Sequence, residues 1–311
     1  VKRTPIPNSL NLLLLTAASV AACLWLWAAS HCRGPVVWLF ALLFSYTNHT
    51  LYALLHEAVH GVFHSNRRVN DWAGRWAAAF FPTSYRLQRA FHLTHHRYNR
   101  TRSEQWDYLR PGDSRFLKLA QWYAILTGFY WLFVPLASLL YLLWPGLLHT
   151  RLMRDSASAR QTASDVYLAA LDRLDGRLAR QDVLFAVGLQ LTLWTLLSLD
   201  LKGWLICYAA FAFNWSSLQY ADHAFSPLDV KNGAWNLRTH PWVRALLLNY
   251  PLHRAHHQHP QASWVYLPRL VDPEEEPQPG YLENWLRMWK GPRRLPETVD
   301  EPTEPLDLPE P

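Results

Sequence analysis

Five stretches of the chain are almost free of charge: Leu10 to Ser30, Val36 to about His56, Leu119 to Trp144, Val183 to Leu199 and Trp204 to Ala221. Several approach the ~20 apolar residues with which an α-helix crosses a bilayer. Inside a bilayer every backbone amide must find a partner within the segment, so runs of this kind predict an all-α integral membrane protein. Averaging over the chain hides the segregation, because Arg-rich connections and a polar C-terminal region dilute it. Leu10 to Ser30 shares features with a secretory signal, since Lys2 and Arg3 precede it and Ala28, Ala29 and Ser30 end it. It reads instead as a retained first span: it is long for a signal, Trp25 and Trp27 stand at its far end as an interfacial belt would, and a second apolar run follows at once.

Charge sets the expected orientation. Residues 65–118 carry Arg67, Arg68, Arg75, Arg86, Arg89, Arg97, Arg100 and Arg102, whereas the connections 31–35 and 200–203 hold one basic residue each. The positive-inside rule puts the first region on the cytoplasmic face. Four spans are predicted, near 10–30, 36–56, 183–199 and 204–220. The run 119–144 must then contribute no crossing or two, and Gly128 and Pro135 supply break points for a re-entrant or interfacial hairpin. WAGRWAAAFF, residues 72–81, reads as a short interfacial helix stopped by Pro82. Residues 145–182 read as a charged cytoplasmic helix and 221–295 as a cytoplasmic cap, making one membrane domain over 1–295. From residue 296 the chain is acidic and proline-rich, and 296–311 is expected to be a disordered tail.

Residues 272–311 hold eleven acidic and four basic residues, a net −7, which leaves +13 for the rest of a chain whose formal charge is +6. The arginines of that basic body flank membrane segments, which fits anionic lipid headgroups and makes nucleic acid an unsuitable partner. Cys23, Cys32 and Cys207 are isolated thiols with no CxxC pair, which excludes an iron-sulfur cluster, a rubredoxin centre or a zinc ribbon. Only five Lys stand against 25 Arg, a balance that fits a GC-rich bacterial gene and hence the bacterial cytoplasmic membrane.

Fifteen histidines are present and eight fall into three groups. His56 and His60 form HxxxH in HEAVH; His92, His95 and His96 form HxxHH in HLTHH; His253, His256 and His257 repeat HxxHH in HRAHH. Positions i, i+3 and i+4 share one face of a helix, so each group can direct its imidazoles at one point. A single HxxxH is ordinary helix surface. Three such groups at the cytoplasmic edge of a bilayer call for a metal. A zinc site closes with three or four ligands, whereas eight or more neutral nitrogens can fill the spheres of two metals, and imidazole suits iron.

In order, composition and placement against the spans, HEAVH, HLTHH and HRAHH resemble the three histidine boxes of the membrane fatty acid desaturase superfamily, over roughly residues 36–270. HQHPQASWVYLP also resembles a region shared by acyl-lipid desaturases and carotenoid ketolases. The resemblance implies four transmembrane helices capped by a cytoplasmic helical di-iron domain, two iron ions, dioxygen as co-substrate and an external electron carrier such as ferredoxin with its reductase. It also implies a ninth ligand at the cytoplasmic end of the last span, where His223 stands one turn after Gln219. The catalytic and metal-binding set is therefore His56, His60, His92, His95, His96, His223, His253, His256 and His257. Carboxylates should orient these imidazoles, and Glu57, Asp107 in QWDYLRP and Asp222 are the candidates. WDY departs from the acid-Pro-acid form of many relatives, which puts Asp107 in doubt. His64, at i+4 from His60, is assigned a supporting role; His49 is read as a packed polar group, and His240 and His259 as loop residues.

The expected reaction is dioxygen-dependent desaturation of a long apolar lipid, an acyl chain, with hydroxylation or a ketolase-type oxygenation as the alternative within the superfamily. HEAVH also satisfies the HExxH motif of zinc proteases. A membrane protease of that type would take a third ligand from an Asp-Gly pair such as Asp175-Gly176, but LDRLDGRLARQD reads as a soluble helix, and both HxxHH boxes would go unexplained. A histidine-rich transporter or sensor would need polar residues along several spans, and only scattered ones such as Asn48, His49, Gln190 and Asn214 occur.

Overall fold

The computed structural model describes residues 4–274 and 278–295. Within them the fold is all-α apart from one two-residue parallel ladder, β1 (Tyr108–Leu109) with β2 (Arg293–Arg294). The tail expected over 296–311 lies outside the described residues. Four long helices form the body: α1 (Asn8–His31), α2 (Val36–Val59), α10 (Gly176–Leu196) and α11 (Leu201–Ala221), with α2 packed against both α1 and α11. Between α2 and α10 come α3 (Arg67–Phe80), α4 (Tyr85–Tyr98), α5 (Arg115–Thr127), α6 (Phe133–Leu143), α7 (Arg151–Arg154), α8 (Ala157–Gln161) and α9 (Ser164–Leu171). After α11 follow α12 (Pro241–Leu246), α13 (His253–Gln258), α14 (Leu267–Leu270) and α15 (Tyr281–Met288).

Among the described residues only α1 is by itself long and apolar enough to cross a bilayer. The other three long helices fall short because polar residues interrupt them, and in α2 and α11 several of these are turned inward. Ser45 Oγ donates to the carbonyl of Ala210 at 3.1 Å, Asn48 Nδ2 to that of Phe80 at 3.2 Å, and Ser216 Oγ to that of Ile125 at 2.8 Å. Apolar side chains such as Leu39, Leu42, Leu184, Leu191, Leu205 and Phe213 are left on the outside. Such bonds tie helices together where lipid would otherwise compete equally for apolar contact.

Several expectations change. The run 119–144 is a pair of helices, α5 and α6, bent by 95°. Gly128 makes the bend: it takes φ +88°, and a Cβ there would come within 2.7 Å of the Phe213 amide nitrogen, so α11 and the hairpin close on each other only over glycine. Pro135 breaks nothing, because it sits in the first turn of α6, where its missing N–H is not needed. Residues 145–182 are not one helix. Thr150 and Ser156 are extended and start new short helices, and Ser156 Oγ caps α8 by accepting from Ala159 N. α10 begins at Gly176, earlier than the expected 183, and its first turns belong to the cap. There the buried carboxylate of Asp182 meets Arg75 of α3 and Arg86 of α4, each at 2.8 Å. α2 ends at Val59, with Gly61 at φ +72°, so the last residues of HEAVHGVFH leave the helix.

Candidate metal centre

The three boxes sit on the last turn and C-cap of α2, on α4 and on α13. α4 is capped by Ser84 Oγ, which accepts from Leu87 N, and the Arg89 guanidinium donates to the carbonyl of Val59. These contacts set α4 beside the end of α2. Nine histidines then converge in two groups. His56, His60, His92, His96 and His256 form one; His95, His223, His253 and His257 form the other; within each, one ligand-capable nitrogen per residue lies within 4.8 Å of the rest.

In the five-histidine group the Nε2 atoms meet directly: His60 to His92 at 2.8 Å, His92 to His96 at 2.9 Å and His96 to His256 at 2.9 Å. Nitrogens bound ~2.1 Å from a shared metal stand about 3.0 Å apart at a right angle, so these separations fit the edges of one coordination sphere. In the four-histidine group three of the outer ring nitrogens face oxygen. His95 Nδ1 lies 3.3 Å from Glu104 Oε2, His223 Nδ1 2.9 Å from the carbonyl of Gly233, and His253 Nδ1 3.5 Å from Asp222 Oδ2, while His257 Nδ1 lies 3.5 Å from Asn99 Nδ2. At His95 and His223 the acceptor at Nδ1 holds the proton there and leaves the Nε2 lone pair pointing inward. His95 Nε2 and His223 Nε2 are 3.1 Å apart.

The residues fit metal on two further counts. His56 Nε2, His253 Nε2 and His257 Nε2 are buried without a hydrogen-bond partner, an arrangement that costs about 1–3 kcal/mol per group when nothing satisfies it. Burial, and secondarily the neighbouring imidazoles, hold His92, His96, His253, His256 and His257 well below the ordinary histidine range. They are therefore neutral near pH 7, the form that ligates.

Other residues fall differently from expectation. Glu57 accepts from Ser263 Oγ at 2.7 Å and from Trp264 N at 3.1 Å, tying α2 to the segment after the third box rather than orienting an imidazole. Asp107 pairs with Arg100 through contacts of 2.8 and 2.9 Å and accepts from Tyr220 Oη and Phe225 N, again away from the histidines. Asp222 does reach the centre, at 3.5 Å from His253 and 3.9 Å from His223. His64 turns aside, its Nδ1 accepting from Asn66 N at 2.9 Å. His49 is buried among Tyr52, Phe211 and Tyr250. His240 lies beside Trp242 with the rings tilted, and His259 ends α13. Glu104 was missed: as the carboxylate nine residues after His95 it was legible, but Asp107 drew the assignment by its place in WDY. Asp175 caps α10, accepting from Arg177 N and Leu178 N, so its carboxylate is committed to a helix end.

Beside His92 and His95 lies a cavity of about 100 Å³, walled by Tyr52, Glu104, Trp106, Tyr130, Trp215 and Gln219 among others. The nine imidazoles, the boxes that carry them and this adjoining cavity agree with the family comparison, in which the model described as fatty acid desaturase matches residues 33–290. No curated protein matches the chain. With the match spanning most of its length and all three boxes inside it, the chain belongs to the fatty acid desaturase family.

Proposed function

We propose that the protein is a membrane oxidoreductase that uses two irons and dioxygen to desaturate a long acyl chain. The observation that carries this reading is the division of nine buried histidines into a group of five and a group of four, adjacent and without a carboxylate in either set. Two irons bound there would supply the redox chemistry that couples dioxygen reduction to carbon-hydrogen oxidation. The chain's own contribution is threefold. It keeps His92, His96, His253, His256 and His257 neutral, sets the His95 and His223 tautomers through Glu104 and the Gly233 carbonyl, and excludes bulk water from the buried cluster. The cavity beside His92 and His95 would receive the methylene to be oxidised. In the balance, dioxygen takes up four electrons and leaves as two waters; two electrons come from the substrate's C–H bonds and two from an external carrier such as ferredoxin. The isolated cysteines offer no cluster site among the described residues, which supports a separate carrier.

The spans α1, α2, α10 and α11 would cross the bacterial cytoplasmic membrane with the Arg-rich cap inside. Trp27 and Trp38, exposed at the ends of α1 and α2 remote from the imidazoles, support this placement as interfacial anchors. The test is metal analysis of the purified protein with lipid profiling of expressing cells. About two irons per chain and new double bonds are expected. A single zinc with unchanged lipids would return HEAVH to the protease reading.

A further inference from the structure

An apolar groove of about 720 Å³ lies between the α5–α6 hairpin, α10 and α11, within the size range of sites that enclose a small ligand. On α11 its wall is Trp204, Tyr208 and Ala212, while Trp215 and Gln219 wall the small cavity beside His92 and His95. Steps of three and four residues put these five positions on one face of the helix. Groove and cavity therefore follow one another along that face. The distance from Trp204 to Gln219 is about 22 Å at 1.5 Å per residue, more than one leaflet's half of the ~30 Å hydrocarbon core.

Apart from the buried Trp131 indole N–H, the groove's polar side-chain atoms are already committed. Gln190 Nε2 donates to the carbonyl of Ala79 at 2.8 Å and meets Tyr208 Oη at 2.9 Å, Trp204 Nε1 donates to Gln190 Oε1 at 3.4 Å, and Ser138 Oγ pairs with Thr83 Oγ1 at 2.9 Å. Its rim is Phe129, Leu136 and Leu191, all exposed. A surface of this kind fits hydrocarbon and nothing polar.

Aromatic rings separate groove from cavity. Trp131 stacks on Tyr208 at 5.4 Å and meets Phe211 at 6.3 Å; Phe211 meets Phe81 at 5.8 Å; Phe81 touches Trp215 at 4.8 Å and Tyr52 at 4.9 Å, both walls of the cavity. Of Trp131, Phe211 and Phe81, Trp131 is the ring that lines the groove. Its indole N–H is buried with no hydrogen-bond partner, and it stands three residues after the Gly128 bend. We propose that the groove holds one hydrocarbon chain, and that Trp131, with Phe211 and Phe81 behind it, is the partition the end of that chain displaces to reach the imidazoles. The proposal deepens the acyl-chain reading above and rests on it only for the identity of the chemistry at the far end.

The experiment is photolabelling in nanodiscs with two probes, palmitic acid and a phosphatidylcholine, each bearing a diazirine at the end of an acyl chain, with labelled peptides read by mass spectrometry. Iron is measured on the same samples, so loss of the metal reading is seen separately from loss of the groove. Saturable labelling of α6 and α10 peptides is expected, falling several-fold in Leu136→Trp, which fills the groove. Trp131→Ala should move label onto the peptides carrying His92, His95 and Trp215. Whichever probe gives saturable labelling identifies the source of the chain as free acid or lipid ester. Non-saturable labelling indifferent to Leu136→Trp would mean annular lipid only and overturn the proposal, as would an unchanged pattern in Trp131→Ala.

Discussion

The two histidine groups are built differently. In the group of five, drawn from all three boxes, His60, His92, His96 and His256 meet through Nε2 contacts of 2.8 to 2.9 Å, and His56 stands beside them. Three of the other four have an oxygen behind them: Glu104 behind His95, the Gly233 carbonyl behind His223 and Asp222 behind His253. The first group depends on how α2, α4 and α13 pack; the second depends also on these oxygens, two of them hydrogen-bonded, from three further places in the chain. Loss of a ligand should therefore empty whichever group it belongs to, whereas substitutions behind the ligands should act on the second group alone.

The largest effect that can break this comparison is loss of a ligand. His256→Ala and His257→Ala remove one imidazole from each group, and each is expected to lower bound iron from about two per chain toward about one. If either variant empties both groups, the two are one coupled site and the comparison fails.

Acid should separate the groups from the rest of the fold. In the folded protein His92, His96, His253, His256 and His257 resist protonation, while unfolded histidines take up protons below about pH 6.5. The unfolded state then binds more protons, so stability from these groups is present above about pH 6.5 and is lost as pH falls below it. Metal-stripped protein should melt at progressively lower temperature from about pH 7 to about pH 5. A flat profile by differential scanning fluorimetry would argue that the imidazoles are already charged or exposed.

Asp107 provides a control for structure without metal. Asp107→Ala strands the fully buried Arg100, and breaking such a pair costs about 3–5 kcal/mol. Melting temperature should drop sharply while iron per folded chain is retained. By contrast, Glu104→Gln removes a carboxylate behind His95, and about a 10–100-fold weaker affinity for one of two metals is expected, read by competition with a chelator. Equal weakening of both metals would count against the distinction between the groups. The smallest effect belongs to Asp175→Ala, which removes the α10 cap at a cost of about 1 kcal/mol. Loss of metal there, against expectation, would revive the Asp-Gly ligand of the protease alternative.

Much of the centre was legible because its signal is local. HEAVH, HLTHH and HRAHH place their imidazoles by helical spacing alone, and α2, α4 and α13 carry them on or next to one face. His223 needed the family resemblance, since a lone histidine after a span has no spacing of its own. The carboxylates were read least well. Glu57 and Asp107 looked suited to imidazoles but are consumed by Ser263 and Arg100, because an acidic side chain reaches several partners and sequence distance does not choose among them. Residues 145–182 failed as a single helix for a similar reason: charge density is not periodicity, and Thr150 and Ser156 restart the chain.

The sequence by itself determined the long helices and the identity of the eight box imidazoles, since each follows from residues within a turn or two of one another. Only the tertiary structure decided that these imidazoles and His223 divide five and four, that Glu104 stands behind His95, and that one face of α11 lines both an apolar groove and the cavity beside the centre. Those facts depend on contacts between residues far apart in the chain. They are set where Gly128 lets the hairpin close on α11 and where Asp182 draws α3 and α4 onto α10, neither of which has a periodic signature to read.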